Sequence, residues 1–175
     1  SVCLKDYSEF TDLTTVSNDH TTNNVVQWNW DFGDGSTNTQ QNPINGYAAD
    51  GTYNATLEVV TNNGCTQSIT KTVTVHPLPV VSFSGVNLAG CSPVCPSITS
   101  TSTINSPSTI ADYEWTMSNG TSYNGAVFSD CFENNSGSTQ FYGLTLTATS
   151  NEGCVSEHTE NDYVEVYHNP VADSY

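Results

Sequence analysis

Between residues 25 and 32 apolar and polar side chains alternate one by one. Val26, Trp28, Trp30 and Phe32 hold one parity, and Gln27, Asn29 and Asp31 hold the other. The same period returns where Tyr53, Ala55, Leu57 and Val59 alternate with Asn54, Thr56 and Glu58. A β-strand turns successive side chains to opposite faces, so each run predicts a strand with one face on a core. Ala111, Tyr113, Trp115 and Met117 form a third such run, and Tyr142, Leu144, Leu146 and Ala148 a fourth. No segment keeps the helical period for three turns. Asn63-Gly64 and Glu152-Gly153 fall between predicted strands, where a tight hairpin needs a positive φ. The pattern predicts an all-β protein.

The pattern also repeats. Asn62-Asn63-Gly64-Cys65 returns as Asn151-Glu152-Gly153-Cys154, an offset of 154 − 65 = 89. Trp30 then matches Trp115, Cys3 matches Cys91, and Val73-x-Val75 leading to Pro79 matches Val164-x-Val166 leading to Pro170. Self-similarity at a period of roughly 90 residues predicts two homologous modules. The boundaries expected are 1–78 for the first and 79–169 for the second. Residues 170–175 follow the second module as Pro79-Val80 follow the first, so they are expected to begin a further module or to serve as a donated strand. Short strands, frequent turns and a tryptophan on a central strand predict two immunoglobulin-like β-sandwiches. A barrel satisfies the same periodicity.

Charge narrows the partners. The chain has 175 residues with two Lys, no Arg and 18 acids, a formal charge of −16, and much of its polarity is the uncharged kind supplied by 25 Thr and 19 Asn. Such a surface repels nucleic-acid phosphate and anionic lipid. No stretch reaches the roughly 20 apolar residues a spanning helix needs. Neither a nucleic acid nor a membrane is an expected partner, and the start at Ser1 without a basic or apolar leader predicts a mature product or an excised fragment.

Six cysteines without metal-ligand spacing predict three disulfides and hence an extracellular or secreted setting. Superposing the repeats equates Cys3 with Cys91 and Cys65 with Cys154. It also places Cys95 and Cys131 opposite Tyr7 and Tyr47 of the first module. The expected pairs are Cys3–Cys65, Cys91–Cys154 and Cys95–Cys131.

The string Trp30-Asp31-Phe32-Gly33-Asp34-Gly35, followed by Gly51-Thr52-Tyr53 and a Leu-x-Val strand, resembles the signature of the PKD (polycystic-kidney-disease) domain. With the Phe10-Thr-Asp-Leu-Thr opening, the Asn-Gly-Cys hairpin and the Pro-rich exit, it also resembles the PKD repeats of very large Bacteroidetes surface and gliding-motility adhesins. The second module departs, carrying Trp115-Thr116-Met117-Ser118-Asn119-Gly120 at the signature position. The resemblance implies an immunoglobulin-like sandwich that acts as a spacer or adhesion element without catalysis. Its expected partners are further copies of itself or neighbouring PKD repeats.

Two sets of residues invite a site. Asp31 and Asp34 are acids three apart at a Gly-rich turn and could collect Ca²⁺, the only cofactor the sequence suggests. Asp at a tight turn also accepts backbone N–H bonds, which explains the same residues without an ion. Tyr123 and Phe128 lie in the loop-rich stretch before Cys131, where strand parity assigns them to no core, and they are the aromatics that could stack on a surface glycan. His20, His76, His158 and His168 fall in no metal spacing or triad, and neither a nucleophile motif nor a phosphate loop occurs. The sequence thus predicts a non-catalytic structural or adhesive segment. A carbohydrate-binding module, or an accessory module of a secreted hydrolase, is the alternative.

Overall fold

The computed structural model describes residues 1–16 and 23–171, and these residues form strands and turns but no helix. His20 and the last four residues of the 170–175 segment lie outside the described residues. The chain divides into two units, Ser1–Pro77 and Leu78–Tyr175.

In the first unit the alternating run at 25–31 is β3 (Val25–Asp31), and it lies in a five-stranded sheet. The other members are β1 (Val2–Cys3), β4 (Thr37–Asn38), β6 (Gly51–Thr61) and β7 (Thr66–His76), in the order β1-β7-β6-β3-β4. β2 (Tyr7–Glu9) and β5 (Ile44–Gly46) pair with each other as a second, two-stranded layer. The parity read from the sequence is the parity of burial: Trp30, Phe32, Leu57 and Val59 form the core with Tyr47 and Val75. Gly64, with a φ of +80°, closes the β6–β7 hairpin, and Thr61 N–H donates to the Cys65 carbonyl across it.

The second unit repeats this plan strand by strand. β9 (Ala89–Cys91), β11 (Ile110–Met117), β12 (Ser122–Asn124), β14 (Gln140–Ser150) and β15 (Val155–Tyr167) form a sheet in the order β12-β11-β14-β15-β9. The facing layer is β8 (Phe83–Val86), β10 (Ser97–Ser100) and β13 (Val127–Phe128), in the order β13-β10-β8. Trp115, Ile98, Phe128, Phe132, Leu144 and Leu146 are at its core. The register of the central strands matches as well. Trp30 stands opposite Leu57 and Leu57 opposite Ile69 in the first, and Trp115 stands opposite Leu146 and Leu146 opposite His158 in the second.

Each of β1 to β7 thus has a counterpart among β9 to β15. The one addition is β8, for which the described residues of the first unit hold no equivalent.

Two of the three expected disulfides are overturned, and the strands give the reason. β1 runs parallel to β7 with Cys3 beside His76, whereas Cys65 immediately precedes Thr66 at the opposite end of that 11-residue strand. At about 3.3 Å per residue the separation is roughly 33 Å, far beyond the roughly 7 Å Cα spacing that a disulfide tolerates. Cys91 likewise lies beside Tyr167, while Cys154 precedes Val155 at the other end of the 13-residue β15. Cys65 and Cys91 are exposed free thiols. Cys95 and Cys131 are joined, with their Cα atoms 4.1 Å apart.

Candidate functional site

The Gly-rich turn of the signature uses its carboxylates internally. Asp31 Oδ1 accepts from Gly33 N–H at 2.9 Å. Asp34 accepts from the Ser36 N–H at 2.8 Å, from the Ser36 hydroxyl, and from Asn45 Nδ2 at 2.9 Å. Partial desolvation works to raise the Asp34 pKa, but the hydrogen bonds from Ser36 and Asn45 outweigh it and hold the carboxyl below its ordinary value. Among the described residues no three His, Cys, Asp or Glu side chains converge as a metal site would require. Asp31 and Asp34 therefore hold a turn that joins β3 to β4 and ties it to β5 through Asn45.

Tyr123 and Phe128 are corrected as an exposed aromatic pair. Phe128 is only 1% exposed, between Trp115 and Phe132 at ring separations of 6.1 and 5.4 Å. Tyr123 is half-buried, edge-on to Phe128 at 5.3 Å, and its hydroxyl donates to Asp130. That hydrogen bond holds the Asp130 carboxyl below its usual range and pushes the Tyr123 hydroxyl up. A two-residue strand such as β13 has no alternation from which its inward face could be read.

The feature that sequence reasoning missed is in the first unit. A groove of about 480 Å³ runs between residues 9–14 and the sheet, and Trp30, Leu57, Val59 and Ile69 contribute to its lining. Phe10 covers the Trp30 indole from one side, with ring centroids 5.3 Å apart. Beyond it Ile69 is 54% exposed, although it shares a face with Trp30 and Leu57. Asp12, at the rim, accepts from Trp28 Nε1 at 2.7 Å. Desolvation raises its pKa, but bonds from Thr14 and Trp28 prevail and lower it.

The second unit shows the same row closed. Phe83 of β8 lies 5.2 Å from the Trp115 ring, 5.6 Å from His158 and 5.1 Å from Tyr163. β8 is hydrogen-bonded along β10, the counterpart of β2, with Ile98 opposite Gly85 and Thr99 opposite Ser84. In the first unit β2 is paired among the described residues only with β5. Parity gave the row; the groove beside it follows from the path of residues 9–14, which carry no such period.

These features define a tandem of immunoglobulin-like β-sandwich modules, antiparallel except for the β1–β7 and β9–β15 pairs. Residues 6–76 match the PKD domain family, which covers the first module and includes the Trp-Asp-Phe-Gly-Asp-Gly string. Over 112 residues, 62% of its length, the chain is 34% identical to the pre-pro-metalloprotease PrtV of Vibrio cholerae, of which this stretch is 12%. Over 54 residues, 31% of its length, it is 43% identical to a microbial collagenase of Vibrio alginolyticus, of which this is 7%. The chain thus spans about an eighth or less of these relatives. Among solved structures it is similar to the fibronectin(III)-like modules of Clostridium thermocellum CbhA, with a TM-score of 0.43, 14% identity, and coverage of 99% of this chain and 93% of that one. It is also similar to the amphioxus IgVJ-C2 molecule, with a TM-score of 0.37, 14% identity, and coverage of 92% and 97%.

Proposed function

We propose that this chain is a non-catalytic accessory segment of a larger extracellular protein, two rigid sandwiches that space or present what is attached to them. The observation that carries the reading is how small a share of each relative is matched. Similarity to 12% of a metalloprotease precursor and 7% of a collagenase fits a portable module better than a catalytic body. The internal use of Asp31 and Asp34 agrees with it, because the most acidic turn of the PKD signature holds its own strands together. A precursor with a pre-pro segment and an enzyme named for collagen both support an extracellular location.

A second reading, a repeating adhesive or filament-forming unit of a surface protein, is favoured by the shared strand plan of the two modules and by the resemblance to surface adhesins. Incubating the purified chain with casein and gelatin tests the shared claim. No cleavage is expected, and turnover abolished by a point substitution in this chain would overturn it.

A further inference from the structure

We propose that a cleft in the second module is a docking site for the arginine side chain of a basic polypeptide. The proposal goes beyond the accessory reading and holds whether the chain is a spacer or a repeating unit.

The cleft encloses about 370 Å³ between the β11–β12 turn and residues 130–133. It is placed by a difference between two equivalent turns. In the first module Phe32 N–H donates to the Ser36 carbonyl and Ser36 N–H to Asp34 Oδ1, while Asp34 also accepts from Asn45 Nδ2, so the turn is tied to β5. In the second module Met117 N–H donates to the Thr121 carbonyl and Thr121 N–H to Asn119 Oδ1, the same local bonds. Among the described residues, however, no hydrogen bond ties Asn119 to β13 or to residues 130–133. With that tie gone, a gap stands between the turn and the segment it faces.

The far wall is built before any ligand arrives. Val94 N–H donates to the Phe132 carbonyl at 2.9 Å, Phe132 N–H donates back at 2.7 Å, and the Cys95–Cys131 bond pins the same segment. Met117 and Phe132 are buried and supply an apolar floor, with Phe132 packed on Tyr142 at 5.1 Å between ring centroids. Tyr123 and Tyr142 line the sides, and each hydroxyl is engaged, Tyr123 with the Asp130 carboxylate and Tyr142 with the Glu133 carbonyl. Rings held in this way lose little rotamer freedom when a ligand settles against them.

The charge in the cleft is negative and uncompensated. The Tyr123 hydroxyl and the Cys131 N–H donate to Asp130 and hold its carboxyl below the usual range, so it is ionised at neutral pH. A lone pair remains on each of its oxygens. Glu133 is exposed, and its carboxylate accepts no hydrogen bond among the described residues. Among the described residues no Lys, Arg or His lines the cleft, and the second module contains neither Lys nor Arg.

Two carboxylates, two aromatic faces and an apolar floor suit a guanidinium on an aliphatic stem. The methylenes lie on Met117 and Phe132. The guanidinium plane stacks on a tyrosine ring, and its N–H groups donate to Asp130 and Glu133. A neutral sugar in the same place would displace water from both carboxylates and return no opposite charge.

The test titrates the full chain with N-acetylarginine methylamide, followed by NMR. The control ligand is the citrulline analogue, in which a neutral urea of the same shape replaces the guanidinium. Arginine is expected to saturate with a Kd of about 1 mM, the scale of a weak small ligand, and to shift the signals of Asn119, Tyr123, Asp130 and Tyr142. Citrulline should bind about tenfold more weakly or worse. Glu133→Gln should weaken arginine binding about fivefold or more, with an unchanged circular dichroism spectrum. Glu157→Gln removes the same charge from an exposed position on β15 outside the cleft and should leave binding unchanged. Raising NaCl from about 50 to about 300 mM should lower the affinity severalfold. Equal affinity for citrulline, equal weakening by Glu157→Gln, or no shift in the cleft at about 10 mM arginine would overturn the proposal. So would neutral monosaccharides that shift the cleft signals while arginine does not, which would make the cleft a saccharide site. The casein and gelatin assay reads none of these outcomes, so failure here leaves the accessory reading standing.

Discussion

Phe83 meets Trp115 edge to face, with ring centroids 5.2 Å apart and planes 69° to one another. With its contacts to His158 and Tyr163, it sets β8 over the row that runs through Trp115. Phe83→Ala should therefore destabilise the second module by about 2 kcal/mol, below the full range for a buried aromatic because Phe83 is only partly buried. Chemical denaturation followed by amide exchange at Trp115 and Leu146 would measure it, and a loss under about 0.5 kcal/mol would show that the ring is dispensable.

Gly33 and Gly35 share a turn but should respond differently to alanine. Gly33 has a φ of +78°, and a Cβ there would come 2.7 Å from the Asn54 carbonyl oxygen and 2.9 Å from its nitrogen. Gly35 has a φ of +90° and open space around it. Gly35→Ala should cost about 1 kcal/mol from backbone strain alone, and Gly33→Ala about 2 kcal/mol more because backbone must move. Equal losses for the two variants in urea titrations would contradict the close approach to Asn54.

Acid should weaken the first module partly through Asp34. Desolvation, the largest single influence, works to raise its folded-state pKa, but the hydrogen bonds from Ser36 and Asn45 together outweigh it and hold the pKa below the unfolded value of 3.8. A depressed carboxylate stabilises the fold above its unfolded pKa, and that contribution disappears as pH falls through the folded value. Melting curves of Asp34→Asn and the parent chain should thus differ most above about pH 5 and draw together as pH falls through the depressed folded-state pKa. A constant offset across that span would remove Asp34 from the account.

The Cys95–Cys131 bond closes a loop with a sequence separation of 36. In the chain-entropy picture its removal by Cys95→Ser with Cys131→Ser should cost about 4 kcal/mol. Cys65→Ser and Cys91→Ser, at exposed free thiols, should each change stability by less than about 0.5 kcal/mol. Thiol titration of the folded chain before and after alkylation, paired with denaturation of each variant, would check both statements.

Much of the architecture was legible because strands have a strict period. Alternation around Trp30 and Trp115 identified the central strands and their inward faces, and the Asn-Gly and Glu-Gly turns located both long hairpins. The pair Cys95–Cys131 was legible from the repeat alignment, but the other two cysteine pairs were not, for a related reason. Repeat alignment tells which residues are equivalent, but it does not tell at which end of an 11- or 13-residue strand each one stands. Cys3 and Cys65 were matched by role and separated by the length of β7. Phe128 was missed because its strand is two residues long, and the groove because residues 9–14 form it largely outside any strand.

The parallel pairing of β9 with β15 also decides how the second module would bear a load. The ladder joins Ala89, Gly90 and Cys91 to Glu165, Val166 and Tyr167, near the two ends of the module's sequence. Tension applied through those ends pulls two parallel neighbours in opposite senses along their common axis. Their hydrogen bonds must then fail together by sliding, whereas bonds of an antiparallel hairpin pulled from its open end give way one at a time. The short β9, with only three residues, is the parallel clamp that would have to shear once the preceding β8 had been peeled from β10.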